Sequence, residues 1–401
     1  MKRKLLGLLV FTGLLVMISC EKNPGDQPVP GLSEELTSSF PSSDEIIPGQ
    51  YIVVLKKSLL KSTLPDNASY QEKQLEVEQV AKSLFAKKST GNEIIQVYAE
   101  TMKAFAAKIA DEDVPGIENQ EMVAYVVPDR MFILRPPWEN PEPDPEPAGQ
   151  EVPYGIARVG TDNGIGKTAW IIDTGIDLDH PDLNVDQTRG RNFIRTSSLP
   201  DDDNGHGSHC AGIVAAIDNE FGVVGVAAGA TVVPVKVLDR RGSGAYSGII
   251  AGIDYVASAA APGDAVNMSL GGSAYEPIDN AVYAASEKGI FFALAAGNES
   301  TDADLKSPAR VNGENIFTIS AMDVNDNWAY FSNFNNPPVD YCEPGVNIYS
   351  TYKKGGYTSM SGTSMAAPHM CGILLITNGT PNTDGTVNND PDNTSDPIGT
   401  L

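Results

Sequence analysis

Residues 362–369 read GTSMAAPH, and the apolar stretch that starts there continues to Ile376. Gly362 permits a tight turn, and the apolar run after it predicts a buried helix. Ser364 would then lie at the N-terminus of this helix, where backbone N–H groups and the helix dipole favour a developing anion. A serine among small residues is by itself more typical of a packed turn. A nucleophile also needs a base, an orienting carboxylate and an oxyanion donor, and the chain upstream of Ser364 offers candidates for all three.

The composition limits the class of protein. The chain has 401 residues, 41% of them hydrophobic, so it is able to bury a large core. Its length predicts roughly two or three domains. The 28 basic and 52 acidic residues give a formal net charge of −24. This charge argues against nucleic acids and anionic membrane surfaces as partners, and it is also what a highly soluble protein would carry.

The first 20 residues have the pattern of a targeting segment. KRK at residues 2–4 is a positive n-region, and the apolar stretch 5–18 is too short to span a membrane comfortably. The segment ends in MISC, which resembles the lipobox of bacterial lipoproteins, where the cysteine becomes the lipidated first residue. We therefore expect residues 1–19 to be a signal peptide and Cys20 to carry a lipid that tethers the protein in the cell envelope or at the cell surface. Ordinary secretion is the alternative.

Three further cysteines remain if Cys20 is lipidated. An odd number in an exported protein leaves at least one thiol unpaired. Their irregular spacing does not match a zinc site, so we interpret Cys210, Cys342 and Cys371 as small buried apolar residues.

Two segments of biased composition flank a small predicted domain. Residues 20–47 are rich in Pro, Ser, Gly and Glu and predict a flexible tether. Residues 136–152 contain PPWENPEPDPEP, which predicts an extended linker open to proteolysis. Between them, residues 48–135 predict the order strand, helix, strand, strand, helix, strand, which is typical of a ferredoxin-like α+β fold.

Residues 153–377 show strands that alternate with helices. The predicted strands are 168–172, 231–237, 265–270, 290–296 and 316–322, and the predicted helices are 207–217, 247–259 and 281–288. This alternation predicts an α/β domain with a mostly parallel sheet and helices on both faces. Functional residues of such sheets gather at the carboxyl ends of strands, which is where Asp173, Ser269 and Asn298 are expected.

Each candidate partner of Ser364 has a simpler interpretation when taken alone. Asp173 follows an apolar strand and is typical of a turn or cap, and Asn298 is typical of a turn, although its amide would be able to donate to an oxyanion. His206 lies between glycines in NGHGSHCAG, at a predicted helix start. Its spacing from His209 would suit a paired metal site, but no third ligand lies nearby in the sequence, so a general base is favoured.

The order Asp173, His206, Asn298, Ser364 decides between these interpretations. It resembles the order in the subtilisin family of serine proteases, and the local sequences of the motifs are most similar to those of the proteinase K branch. The matching stretches lie at 172–177, 204–212, 235–257, 267–272, 294–298, 331–334 and 362–369. Residues 48–135 resemble the subtilisin inhibitor-type propeptide.

The resemblance implies roles for four residues. Ser364 would be the nucleophile and His206 the general base and later acid. Asp173 would orient His206 and stabilise its imidazolium. Asn298 would form the oxyanion hole with the backbone N–H of Ser364, and no catalytic metal is implied.

The resemblance also implies a cleft for the residue before the scissile bond. Its walls would be Ser269, Leu270, Gly271, Ala295, Ala296 and Gly297. Walls of glycine and alanine leave room for large apolar or aromatic side chains. The two stretches contain no acidic residue, which argues against a trypsin-like preference.

The C-terminal part carries two further expectations. Asp340 aligns with a calcium-binding aspartate of the proteinase K branch, so the resemblance implies a structural calcium ion there. The helix after Ser364 is expected to end near Ile376, earlier than is usual in the family. Residues 378–401 are rich in Asn, Asp, Gly and Pro, and we expect a disordered acidic tail, with a calcium site as the alternative.

These observations give one prediction of fold and two of function. The fold is a subtilisin-like α/β domain preceded by a small ferredoxin-like propeptide domain. The expected function is that of a monomeric, lipid-tethered serine endopeptidase, made as an autoprocessed zymogen, that cleaves protein or peptide substrates and is inhibited by its own propeptide. The alternative is a catalytically silent lipoprotein in which the propeptide stays docked.

Overall fold

The computed structural model describes residues 44–59, 64–65, 67–85, 91–134, 144 and 148–401. The predicted signal peptide, the lipidation site Cys20 and residues 20–43 of the tether lie outside the described residues, as does most of the proline-rich linker. Among the helices of the described part, none has the length and apolar character needed to cross a membrane.

The small N-terminal domain has the predicted element order. Its elements are β1 (Ile46–Leu55), a short 3-10 helix (Lys57–Leu59), α1 (Tyr70–Phe85), β2 (Glu93–Tyr98), β3 (Ala104–Lys108), α2 (Val114–Glu118) and β4 (Val123–Ile133). The four strands pair antiparallel in the order β4-β1-β3-β2. This arrangement confirms the predicted ferredoxin-like fold.

Helix α1 begins at a capping box. Ser69 Oγ accepts a hydrogen bond from the Glu72 N–H at 3.3 Å, and Glu72 Oε2 accepts one from the Ser69 N–H at 2.8 Å. Two N–H groups at the helix start are therefore satisfied. The apolar face of the helix buries Val77 and Leu84 in one cluster with Phe105 of β3, which holds the helix on the sheet.

The larger domain contains the remaining elements. Its helices are α3 (Tyr154–Val159), α4 (His206–Ala215), α5 (Tyr246–Ala259), α6 (Glu276–Ser286), a 3-10 helix (Ala303–Leu305) and α7 (Thr363–Thr377). Its strands are β5 (Asp162–Asn163), β6 (Thr168–Asp173), β7 (Asn184–Val185), β8 (Arg191–Asn192), β9 (Ala227–Ala228), β10 (Thr231–Lys236), β11 (Ser243–Ala245), β12 (Ala265–Met268), β13 (Gly272–Ser273), β14 (Phe291–Ala295), β15 (Lys306–Ser307), β16 (Ile316–Met322), β17 (Val339–Pro344), β18 (Ile348–Tyr352), β19 (Gly356–Met360), β20 (Asn382–Thr386) and β21 (Pro397–Thr400).

One ten-stranded sheet organises this domain. It is parallel in the order β7-β10-β6-β12-β14-β16-β17-β21, β8 also pairs with β10, and β20 closes the edge antiparallel to β21. Successive residues of β6 face opposite sides, because Ile171 lies in the cluster of α4 and α7 whereas Trp170 and Ile172 lie in that of α5 and α6. Helices therefore cover both faces, as the sequence predicts.

The C-terminal segment is folded, so the expectation of a disordered tail is wrong. Helix α7 ends at Thr377, and Asn378 follows in a left-handed conformation with φ 52°. The chain then forms the hairpin β20–β21, which adds to the sheet through pairing of Ile398 with Cys342. Val387 and Ile398 are buried in one cluster with Met322, and this hairpin completes the core where the helix stops.

The cysteines match their interpretation. Cys210, Cys342 and Cys371 are buried and free. Burial raises the pKa of the Cys342 thiol well above its ordinary value, so this thiol stays neutral.

Candidate active site

Asp173 and His206 meet at the ends of two elements. Asp173 is the last residue of β6, and His206 is the first residue of α4. Both carboxylate oxygens of Asp173 lie 2.9 Å from His206 Nδ1. Gly207 makes room for this approach, because a Cβ there would collide with the Gly175 carbonyl. The carboxylate accepts the Nδ1–H and leaves Nε2 as the basic nitrogen of the ring.

The environment of this pair changes the histidine pKa. Asp173 is fully buried, and His206 is 5% exposed. Burial alone would lower the pKa of His206, but the charge and hydrogen bond of Asp173, together with the neighbouring Cys210, outweigh burial and raise this pKa well above its ordinary value. The neutral, basic form of His206 therefore dominates only at pH values above this raised pKa.

Ser364 is the second residue of α7 and is held by its neighbours on both sides. Its Oγ donates to the Ser269 carbonyl at 3.2 Å. Its own carbonyl lacks the usual helical donor, because residue 368 is a proline without an N–H. That carbonyl instead accepts from Ser269 Oγ at 2.7 Å and from Cys210 Sγ at 3.4 Å. Because Pro368 leaves the Ser364 carbonyl free, hydrogen bonds from Ser269 and Cys210 link the turn at Ser364 to the end of β12 and to α4.

The Asn298 side chain has a fixed orientation. Its Oδ1 accepts hydrogen bonds from Thr363 N–H at 2.9 Å and from Thr363 Oγ1 at 3.0 Å. Its Nδ2 lies beside Gly362, 3.4 Å from the position that a Cβ would take there. With its oxygen occupied, Asn298 has its N–H groups left to donate near Ser364.

A cavity of about 330 Å³ lies against Ser364 and Asn298, whereas Asp173 and His206 are not part of its lining. Its lining includes Ser364, Asn298 and five of the six predicted wall residues, namely Ser269, Leu270, Gly271, Ala295 and Gly297. Glu299 also lines it, outside the two predicted wall stretches, and is paired with Lys306 at 2.9 Å. This pairing offsets the only negative charge that the larger domain contributes to the cavity lining.

Ala296 is the predicted wall residue that does not line the cavity. It is buried with Ala303 and Val339, and its carbonyl accepts from Asn333 Nδ2 at 2.9 Å. Because side chains alternate along an extended segment, Ala295 faces the cavity while Ala296 faces the core.

The end of the small domain enters the same cavity. Strand β4 pairs antiparallel with β11, with Met131 opposite Ala245 and Ile133 opposite Ser243. The next residue, Leu134, donates its N–H to the Gly242 carbonyl at 2.8 Å and lines the cavity with Ser364. The small domain therefore presents an extended segment to the cleft, in the way that a peptide adds to a sheet edge.

Residues 166–388 match the model of the subtilase family, and residues 50–134 match the model of the peptidase inhibitor I9 domain. The chain belongs to the subtilase family. It is a serine endopeptidase with an I9 propeptide domain, and the α/β fold predicted from the sequence is confirmed.

The relatives of this subtilase are named as proteases, and it aligns with them over most of their length. It is 34% identical over 352 residues to the subtilisin-like protease 6 of Trichophyton schoenleinii, covering 82% of this chain and 83% of the relative. The subtilisin-like protease 6 of Trichophyton rubrum is also 34% identical, with 82% of each chain covered. A solved structure of a cold-adapted subtilisin-like serine proteinase is 36% identical, with a TM-score of 0.52, and covers 56% of this chain and 84% of that one.

The subtilase holds its propeptide through a buried carboxylate on α5. Asp254 accepts the backbone N–H of Ala99 at 2.9 Å, of Glu100 at 2.9 Å and of Thr101 at 2.7 Å. It also accepts the Tyr70 hydroxyl at 2.9 Å. One catalytic-domain side chain therefore binds the turn between β2 and β3, and no local sequence pattern predicts this contact.

The propeptide also contacts the other end of α5. No side chain caps this helix from its own N-cap residue, Ala245. Asp129 Oδ1 of the propeptide accepts from the Ser247 N–H at 3.1 Å, and the Tyr98 hydroxyl donates to the Ser247 carbonyl at 2.9 Å. The propeptide thus supplies the missing N-terminal cap.

His209 does not join His206 as a metal ligand. Its Nε2 lies 3.0 Å from the Ile348 carbonyl and 3.1 Å from the Thr358 carbonyl, so it donates to the backbone on the other side of α4. Burial lowers the pKa of His209 to about 3, which keeps the ring neutral. In the described part of the chain, the one group of three potential ligands within 4.8 Å of one another is Asp173, His206 and Cys210.

Asp340 lies on β17, away from the cleft. Its Oδ2 accepts from the Thr318 N–H at 2.8 Å, and burial raises its pKa to about 6. A calcium ion beside the carboxylate would relieve this cost of burial. The remaining ligands would be carbonyl oxygens or water.

Proposed function

We propose that this subtilase is an extracytoplasmic endopeptidase made as a zymogen that cuts its own propeptide, with Asp173, His206 and Ser364 as the catalytic triad. The observation that carries the proposal is the course of β4 along β11, which delivers Leu134 to the cavity that Ser364 lines. A self-cleaving zymogen needs its own chain in the cleft, in an extended conformation and next to the nucleophile.

The proposed reaction is acyl transfer. His206 Nε2 takes the proton of Ser364 Oγ as the oxygen attacks the scissile carbonyl, and Asp173 stabilises the imidazolium. The oxyanion that forms accepts from Asn298 Nδ2 and from the Ser364 N–H at the start of α7. His206 then protonates the leaving amine. A water molecule, deprotonated by His206, attacks the acyl carbon, and His206 returns that proton to Ser364 Oγ as the acyl group leaves as a carboxylic acid.

Substrate preference follows from the cavity walls. Leu270 and Ala295 contribute apolar side chains, Gly271 and Gly297 leave space for a large one, and Glu299 is paired with Lys306. We therefore propose a broad preference for apolar or aromatic side chains before the scissile bond.

The propeptide would act as an inhibitor before and after the cut. Its contacts to Asp254 and to the start of α5 do not involve the scissile segment, so they would persist once the bond beyond Leu134 is broken. We place the first cut between about residue 130 and residue 153, in the propeptide end or the linker, since Leu134, the last described residue before the linker, lines the cleft. The proposed domain boundaries remain 48–135 for the propeptide, 136–152 for the linker and 153–377 for the catalytic core, to which the β20–β21 hairpin is now added.

Three further features extend the proposal. The lipobox-like sequence supports lipidation of Cys20 and attachment to a bacterial membrane through that lipid. The local sequences of the motifs support the proteinase K-like branch, with a structural calcium ion at Asp340. The protease is proposed to act as a monomer on protein or peptide substrates.

The test uses a fluorophosphonate probe, which labels an activated serine. Processed wild type should be labelled, Ser364→Ala should not, and Ser258→Ala, which changes a serine far along α5, should label like wild type. Ser364→Ala should also accumulate as a chain about 13 kDa larger, for on the order of 110 residues of tether and propeptide. A folded, processed wild type that takes no label would favour the catalytically silent alternative. Ser364→Ala trimmed at the wild-type position, in a host lacking other proteases, would exclude self-processing.

A further inference from the structure

A carboxylate from the propeptide side occupies a polar site at the end of the cleft. Asp44 lies just before β1, and its Oδ1 accepts hydrogen bonds from the Tyr246 hydroxyl and from the Ser273 N–H, the latter at 3.0 Å. Its Oδ2 accepts from Ser273 Oγ at 2.9 Å. Three donors of the catalytic domain therefore hold one carboxylate, in a geometry that makes strong hydrogen bonds to an anion.

The backbone of Asp44 is adapted to this contact. Its φ is 70°, a left-handed conformation that aspartate tolerates better than most residues but still at a cost. Its N–H donates to the Met131 carbonyl at 2.7 Å. Asp44 is thereby fixed beside the strand that fills the cleft, and it lines the same cavity as Phe132 and Ser364.

The donors lie on α5 and β13 of the catalytic domain. Tyr246 is the first residue of the 14-residue helix α5, where the helix dipole favours an anion, and its ring packs edge-on against Tyr275 with centroids 4.8 Å apart. Gly272 shapes the site, because a Cβ there would overlap the Tyr246 hydroxyl and lie 2.9 Å from Asp44 Oδ1. The donors therefore belong to the catalytic domain and stay with it when the propeptide is cut off.

We propose that Tyr246 and Ser273 form a carboxylate-binding subsite that, in the mature enzyme, takes an aspartate or glutamate side chain of the substrate. The inference rests on the proposed function, because Asp44 must leave with the propeptide before the subsite is free. The Asp44 N–H donates a hydrogen bond to the carbonyl of Met131. Met131 lies upstream of Leu134 and pairs with Ala245. The acidic side chain of the substrate therefore lies several residues before the cleaved bond, beyond the apolar pocket.

The test measures kcat/KM of the processed enzyme on internally quenched peptides with one glutamate moved along successive positions before the cleaved bond. Each peptide has a partner with glutamine at the same position. At one position or two adjacent ones, the glutamate peptide should be cleaved about tenfold faster than its glutamine partner, as expected when an anion gains hydrogen bonds. Tyr246→Phe and Ser273→Ala should each lower this ratio at least about threefold. Tyr283→Phe, which removes an exposed hydroxyl on α6, should leave the ratio unchanged.

The outcomes separate the subsite from the protease. Cleavage of all peptides with no glutamate preference at any position, or a preference that survives both Tyr246→Phe and Ser273→Ala, would overturn the subsite and leave the protease intact. If no peptide is cut and the fluorophosphonate label is absent, the proposed function itself fails. A second measurement uses the full chain: Asp44→Asn should shorten the lag between propeptide cleavage and full activity, and an unchanged lag would show that Asp44 does not hold the subsite.

Discussion

The Ser364 carbonyl accepts a hydrogen bond from Ser269 Oγ at 2.7 Å, in the place of the helical bond that Pro368 is unable to donate. The turn at Ser364 is therefore anchored to the strand end whose residues Ser269 and Leu270 line the cavity. Ser269, predicted to bind substrate, therefore also positions Ser364, predicted to act in catalysis.

Ser269→Ala should lower kcat by roughly tenfold with little change in KM, because it removes a hydrogen bond that positions Ser364 without removing the Ser269 backbone. Pro368→Ala restores a helical N–H donor, so Ser269→Ala should cost less activity in that background. The measurement is a double-mutant cycle on a small peptide substrate. Full additivity of the two changes would contradict the shared role.

Asn298→Ala should lower kcat by about a hundredfold to a thousandfold and leave KM nearly unchanged, since its amide would act mainly on the transition state. Thr363→Val, which removes one of the two donors to Asn298 Oδ1, should have a much smaller effect because the Thr363 N–H remains. Steady-state kinetics on one peptide distinguish the two. An Asn298→Ala enzyme within about threefold of wild type would remove this residue from the oxyanion hole.

The pH dependence should report His206. The Asp173 carboxylate raises the pKa of His206 above its ordinary 6.5, and only the neutral ring acts as a base. As pH falls, His206 binds a proton, so kcat/KM should fall on the acid side with a midpoint above 6.5. A pH profile of kcat/KM checks this, with His209→Gln as the control that should not move the midpoint. A midpoint below 6.5 would show that Asp173 does not dominate the environment of the base.

Asp254→Ala should weaken propeptide inhibition, because three backbone N–H groups of the propeptide lose their acceptor. The lag between the first cut and full activity should shorten by about tenfold or more. Ser258→Ala, on the same helix but away from these contacts, should keep the wild-type lag. If Asp254→Ala matches wild type, the turn between β2 and β3 contributes nothing to inhibition.

The hairpin β20–β21 should lose stability as pH rises from about 4 to about 7, because of Asp396. This carboxyl is 1% exposed and accepts from Ser320 Oγ at 2.5 Å, and burial raises its pKa to about 7. Since the folded pKa lies above the unfolded value of 3.8, the folded state binds the proton more tightly. The stabilisation is present below about pH 4 and is lost as pH rises through about 7.

The measurement is Tm against pH for wild type and Asp396→Asn. Wild type should lose stability relative to Asp396→Asn as pH rises through this window, and the exposed-site variant Asp304→Asn should follow wild type. Parallel Tm curves for wild type and Asp396→Asn would contradict a raised pKa at Asp396.

The active-site elements were predictable because their signals are local. Buried parallel strands and helices carry long apolar runs, and Asp173, His206 and Asn298 stand at their ends. Helix α6 begins earlier than predicted, at Glu276, because Pro277 occupies its first turn, where a missing N–H costs nothing.

The remaining features depend on contacts that are distant in sequence. The hairpin β20–β21 has almost no apolar alternation, and Val387 and Ile398 are buried only because Cys342 and Met322 offer a surface. A polar segment with two apolar anchors has the composition of a disordered tail. The contacts of Asp254 and Asp129 join the propeptide to α5 across more than a hundred residues, and no local pattern encodes such pairs.

The hairpin has a second consequence, for the behaviour of many copies together. Its outer strand β20 reads NTDGT, is exposed along its whole length and forms one edge of the large sheet, and the opposite edge is β7, with only two residues. Unpaired edges are where sheets of different molecules join into aggregates, and short strands or edges rich in Asp, Asn and Gly resist this joining. The protease is thereby protected against polymerising through the edges of its own sheet.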